Sequence, residues 1–152
     1  MTAPDILVVG SAKMDLVAFA DRLPAPGETL LGGAFQSFAG GKGGNQAVAA
    51  ARAGGKVAFL GRIGTDIFGA RLRKGLQDNG VDTRLLGEVE GASGVAIIMS
   101  GGGNNMIVVA PGANDAVTAK VIDSHAFAGI RFVLAQLETP LDGVVEAARL
   151  AR

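Results

Sequence analysis

The chain has 152 residues, among them 24 glycines, one histidine (His125) and no cysteine. Lysine plus arginine and aspartate plus glutamate both number 14, and 49% of the residues are hydrophobic but only 5% aromatic. This balance excludes disulfide staples, thiolate chemistry and a histidine-rich metal centre, and it speaks against the basic face that nucleic acid or an acidic membrane surface requires.

The first apolar run, Ile6-Leu7-Val8-Val9-Gly10, is too short for a secretion signal or a membrane span, so a cytoplasmic protein is expected. Its unbroken apolar character predicts a strand buried on both faces. Residues 14 to 38 are mixed and split by the turn Leu23-Pro24-Ala25-Pro26-Gly27, which predicts two peripheral strands, 15 to 19 and 29 to 38, forming a small flap. Gly40-Gly41-Lys42-Gly43-Gly44 then breaks the pattern, and an alanine-rich helix is expected over residues 45 to 52. A strand over 56 to 60 follows. The next helix is expected over 66 to 79, with Asp66 as its N-cap and Gly80 as its stop. Residues 95 to 100 and 106 to 110 predict a hairpin. A short helix over 118 to 125, a strand over 132 to 136 and a helix from Pro140 complete the chain.

Strands alternating with helices predict an α/β fold, a three-layer α-β-α sandwich on a mostly parallel sheet, carrying a small β flap. One domain over residues 1 to 152 is expected, with lid strands at about 14 to 38. The last helix is still in mid-pattern at Arg152, which raises the expectation of a truncated chain.

In open α/β sheets, ligands bind beyond the carboxyl ends of the strands. That rule selects Ser11, Lys13 and Asp15 after the first strand, residues 40 to 45 before the first helix, and Gln136 and Glu138 after the strand at 132. Carboxylates, amides and an ammonium on one rim suit a polyhydroxylated ligand. The glycine stretch is neither a Walker A loop, since Lys42 precedes Gly43, nor a GxGxxG fingerprint, since Gln46 holds the sixth position from Gly41. A P-loop NTPase and a dinucleotide-dependent dehydrogenase therefore lose support.

Six motifs agree in order and spacing: Gly10-Ser-Ala-Lys-Met-Asp15; Pro24-Ala-Pro-Gly-Glu28-Thr29; Gly40 to Gly54; Gly61-Arg-Ile-Gly-Thr-Asp66; Gly112-Ala-Asn114; and Gln136-Leu-Glu138-Thr-Pro140. Together they resemble the ribokinase, or pfkB-type, family of carbohydrate kinases, the ribokinase branch above all. The resemblance implies transfer of the ATP γ-phosphate to a primary sugar hydroxyl, most readily that of ribose. Mg2+ and ATP would be bound mainly outside this chain, and a monovalent cation is among the implied ligands. It also implies that Asp15, Gly41, Lys42, Asn45 and Glu138 grip the sugar, that Gly40 and Gly41 form a hinge, and that the flap pairs with a second copy. No catalytic residue and no metal ligand is expected within these residues; the base and anion hole would belong to a second half. This chain alone is then expected to be inactive as a kinase.

The family's first motif carries Asn where this chain has Lys13, a residue that donates and brings a charge. Lys13 reads either as a substrate contact or as a partner for Asp15. The first option makes a keto-sugar acid an alternative to ribose. A nucleoside kinase of the same family, and a non-catalytic half-length protein that binds sugar or a partner, also remain open. Asn45 is read as a sugar contact first, with capping of the helix that follows it as the alternative. Asp66 is read as a cap, Glu28 as structural and His125 as a surface residue.

Overall fold

The computed structural model describes residues 3 to 152. Its elements, in chain order, are β1 (Ile6–Val9), β2 (Lys13–Phe19), β3 (Phe35–Gly40), α1 (Lys42–Arg52), β4 (Val57–Gly64), α2 (Ile67–Asp78), β5 (Leu86–Val89), β6 (Gly94–Gly101), β7 (Asn104–Ala110), β8 (Phe132–Ala135) and α3 (Leu141–Leu150). The first sheet has the order β5-β4-β1-β8 and every pairing in it is parallel.

β1 and β4 show why a continuous apolar run belongs in such a sheet. Val8 and Phe59 point to one face, where they meet Ala47 of α1 and Leu72 and Leu76 of α2. Leu7, Val9, Ala58 and Leu60 point to the other, against Val117, Ile122 and Ala147 of α3. Successive residues alternate faces, and both faces are roofed, so no position can be polar. Helices on both sides of a parallel sheet give the three layers expected.

The second sheet has the order β3-β2-β6-β7. β3 and β2 run antiparallel, β2 and β6 parallel, β6 and β7 antiparallel. The expected hairpin is present, closed by Gly102 and Gly103, both at positive φ (60° and 76°) as a two-residue primed turn requires. It extends the flap, which therefore has four strands. At the base of β2, Met14 is wholly buried in the α1-α2 core, so the sheet is rooted there.

Several elements depart from the sequence reading. The strand expected over 29 to 38 is shorter and later, running from Phe35 into Gly40. Helix α1 starts at Lys42, three residues early, because its first turn docks on Ser11 and needs the glycines. β4 runs on through Gly61 and Gly64. The strand expected over 56 to 60 is thus longer, and its glycines serve close approach. An ideal Cβ on Gly64 would lie 2.3 Å from the Gly91 carbonyl oxygen. β5 escaped notice because four mixed residues carry almost no pattern. The helix expected over 118 to 125 is instead two short 3-10 turns, Ala119–Val121 and Ser124–Phe127, and a third, Gly112–Ala116, precedes them. Asp123 and Asp142 accept from the backbone N–H groups of His125 and Ala119, holding local turns in place of a continuous helix. Asp66 does cap α2, accepting from the Gly69 N–H at 2.9 Å.

Candidate sugar-binding site

Three chain segments meet beyond the carboxyl ends of β1 and β8. Helix α1 begins so close to the β1-β2 connection that an ideal Cβ on Gly43 would lie 2.8 Å from both the N and O atoms of Ser11. Gly41, at φ 90°, makes the turn from β3 into the helix, a conformation L side chains rarely adopt. The Gly44 N–H donates to the Ser11 carbonyl at 2.9 Å, locking helix to connection.

Glu138, from the turn after β8, fills the centre. Its Oε1 accepts from Lys13 Nζ at 2.8 Å and Lys42 Nζ at 2.6 Å. Its Oε2 accepts from Ser11 Oγ at 2.7 Å and from the Lys42 N–H at 3.1 Å. One carboxylate thus ties β1, β2 and the start of α1 together, at the positive end of the helix. Burial works against its charged form, but the hydrogen bonds from Lys13, Lys42 and Ser11 prevail and hold the carboxyl at about 2, against an ordinary 4.5. Lys13 is itself nearly buried, with 9% of its side chain exposed.

Asp15 sits one step further along β2, on the same face as Lys13. Its carboxylate lies over Gly40, with Oδ2 2.3 Å from where a Cβ would stand. Burial pushes its pKa up, Lys13 pulls it down and Glu138 adds a smaller upward push. Among the described residues, the Asp15 carboxylate and the Asn45 amide make no hydrogen bond, so both can serve a ligand.

Lys13, Asp15, Gly41, Lys42, Asn45 and Glu138 all line one cavity of about 240 Å³. Its far wall is aliphatic, from Ala96 and Ile98 of β6 and Ile107 and Val109 of β7. All six residues selected from the sequence are therefore brought together. Two alternatives fall away. Asn45 is not the N-cap of α1: that position is Gly41, and the Asn45 N–H already bonds within the helix to the Gly41 carbonyl. Lys13 pairs with Glu138 rather than with Asp15. Gly40 and Gly41 sit at the junction of β3 and α1, where the second sheet joins the first.

Ser11 and Asn114 matter more than the sequence reading allowed. Asn114 is 1% exposed and reads the bend before Lys13. Its Oδ1 accepts from the Ala12 N–H at 2.9 Å, and its Nδ2 donates to the carbonyls of Ala12 and Pro111. The Gly112-Ala-Asn114 motif marks the residue but not its partner, since the contact spans 102 positions. Gln136 donates from Nε2 to Gln46 Oε1 at 2.7 Å, while its buried Oε1 and the Thr139 hydroxyl have no partner among the described residues. Glu28 pairs with Arg22 and accepts from the Ala25 N–H, closing a surface turn. His125 is exposed beside Asp123.

The family model for pfkB family carbohydrate kinases matches residues 3 to 151. Ribokinase of Bacillus subtilis is 43% identical over 148 residues, covering 95% of this chain and 50% of that protein. Deoxyribokinase of Salmonella typhimurium is 37% identical, covering 94% of this chain and 48% of the relative. A solved structure of Arabidopsis thaliana ribokinase complexed with ribose and ATP superimposes with a TM-score of 0.88 at 32% identity, covering 99% of this chain and 50% of that one. The chain spans about half the length of the curated relatives it matches. No helix among the described residues is long and apolar enough to cross a membrane.

Proposed function

This chain belongs to the pfkB family of carbohydrate kinases, and on that premise we propose that it is the sugar-gripping half of a cytoplasmic, ATP-dependent kinase acting on ribose or a close relative. The observation that carries this reading is convergence. Six residues from β2, α1 and the turn after β8 line one cavity beneath an aliphatic wall. The open carboxylate of Asp15 accepts hydrogen bonds from ring hydroxyls. The Asn45 amide both donates and accepts, and the Lys42 ammonium keeps donors free beyond its bond to Glu138.

Phosphoryl transfer is mostly positioning and charge stabilisation. This half orients the primary hydroxyl and excludes water beneath the second sheet, which works as a lid turning about Gly40 and Gly41. Among the described residues, no three His, Cys, Asp or Glu side chains cluster as a metal cage would require. The N–H groups that open α1 already bond to Glu138 and Ser11. In this reading, as membership of the family implies, the base, the nucleotide contacts and the metal ligands come from residues outside these 152. ATP is the cosubstrate in this reading, and the lid pairs with a second copy. Phe35, Ile97 and Val108 are 66%, 57% and 68% exposed on the sheet, an apolar patch of the kind that marks contacts.

The pairing of Lys13 with Glu138 favours neutral sugars over keto-sugar acids. A lysine already neutralised by a partly buried carboxylate is a poor receptor for a second anion. The test is a chimera: this chain joined to the unmatched carboxyl-terminal half of Bacillus subtilis ribokinase, assayed on ribose, deoxyribose and a keto-sugar acid. Phosphorylation of ribose above the others is expected. A folded chimera that prefers the acid, or phosphorylates none of them, would overturn the reading.

A further inference from the structure

A second cavity lies on the other side of Asn45 and contains none of the charged cluster. It has a volume of about 460 Å³ and runs between α1 and α2, within the range that small-molecule ligands occupy. From Gly44 to Arg52 along α1 it is about 12 Å long, at 1.5 Å per residue. Its floor is apolar, from Val48, Leu72 and Leu76, and small residues at 44, 49 and 75 leave the space between the helices unfilled.

The two ends differ. At one, the Arg52 guanidinium donates from Nε to Asn79 Oδ1 at 2.8 Å, and Asn79 Nδ2 donates to the Gly75 carbonyl at 2.7 Å. The cation is thus held in a fixed direction, while its terminal amines make no bond among the described residues. At the other end stand Ala39 and Gly40, the last residues of β3, together with the free amide of Asn45. Arg71 of α2 already reaches β3 here, donating to Ser37 Oγ at 3.1 Å.

We propose that this cleft binds an elongated small-molecule carboxylate with an apolar body, its carboxylate paired to Arg52 and its far end against Ala39 and Gly40. A pre-oriented guanidinium offers two parallel N–H donors, which a carboxylate matches. The apolar floor takes the body. Because one wall belongs to β3 and Asn45 lines both cavities, the occupant biases the position of the lid sheet and so the affinity of the charged cavity. By linkage, a sugar in that cavity changes the affinity of the cleft by the same factor. Only this coupling rests on the sugar-binding reading.

The probe is 4-phenylbutanoate, titrated into the isotope-labelled chain and followed by backbone amide shifts, with 4-phenylbutanol as the uncharged control. Saturable shifts at Val48, Arg52, Leu76, Asn79 and Ala39 are expected, at least about tenfold weaker for the alcohol and for Arg52→Ala. Gly75→Leu, which fills the space, is expected to abolish them while leaving the rest of the spectrum intact. No saturable shift, equal response to the alcohol, or shifts centred on Lys13 and Lys42 would each overturn the site. Ribose titrated with and without saturating probe then separates the two readings. Cleft binding with no response to ribose keeps the site and sinks the sugar reading, whereas ribose binding indifferent to the probe overturns the coupling.

Discussion

In the β5-β4-β1-β8 sheet, Leu7, Val8 and Val9 and all residues from 57 to 60 are buried. In the β3-β2-β6-β7 sheet, every residue of β7 and most of β3 is exposed, Val17 and Ala96 are buried within the sheet itself, and only Met14 and Leu16 join the helix-covered core. Both sheets are rich in apolar residues, so composition does not separate them. What separates them is covering: the first is roofed by helices on both faces, and the second hangs from it by Met14 and Leu16. Stability therefore belongs to the first sheet. The second is free to carry a cavity wall and a contact surface.

The strongest way to break this contrast is a matched pair of truncations. Phe59 is fully buried in the first sheet, and its change to Ala is expected to cost about 3 to 5 kcal/mol in denaturant unfolding. Ile107 in β7 is 51% exposed, and Ile107→Ala is expected to cost less than about 0.5 kcal/mol. Similar losses from both would mean that the second sheet is as much core as the first.

Next in size is the joint between them. Glu138→Gln removes the partner of nearly buried Lys13, at an expected cost of about 2 kcal/mol. That is below the figure for a fully buried pair, because Glu138 keeps 19% of its side chain exposed. The pH dependence follows from the same bonds. The folded value of about 2 lies below the ordinary 4.5. The stabilisation from Glu138 is therefore complete above about pH 4.5 and drains away as pH falls towards 2. Asp15 acts in the opposite sense: its raised pKa favours the fold when it is protonated and loses that gain as pH rises through its folded value. Acid unfolding of Glu138→Gln should accordingly be shallower than that of the parent below pH 4.5, and an unchanged slope would remove Glu138 from the joint.

Asp66 sharpens the contrast on a smaller scale. It caps α2 over the first sheet and also accepts from the N–H and hydroxyl of Ser93, at 2.9 and 2.6 Å, just before β6 enters the second. Asp66→Ala is expected to cost about 1 to 2 kcal/mol, the upper end reflecting both duties. The cap was legible in the sequence because an Asp three residues before a helical Gly obeys a local rule. The bond to Ser93 was not, because it spans 27 positions. The same division holds throughout. β1, α2 and the residues of the charged cavity follow from local patterns and motif spacing. The parallel pairing of β2 with β6, the grip of Asn114 on Ala12 and the length of β4 depend on which surfaces meet, and period alone cannot report that.

The smallest expected effect on stability, and the most informative about function, is Lys13→Asn. Glu138 would keep Lys42 and Ser11 as donors, and a neutral amide tolerates the site, so a stability change within about 1 kcal/mol is expected. The carboxylate, however, would lose one of the two cations on Oε1 and regain room to accept a hydroxyl. In the chimeric kinase this should lower the KM for ribose by roughly one hydrogen bond to a charged group, about tenfold, with kcat little changed, because ground state and transition state gain it alike. A fall in kcat with KM unmoved would show instead that Lys13 acts on the reacting end of the sugar, and the lid-side cavity would then need a different orientation of its ligand.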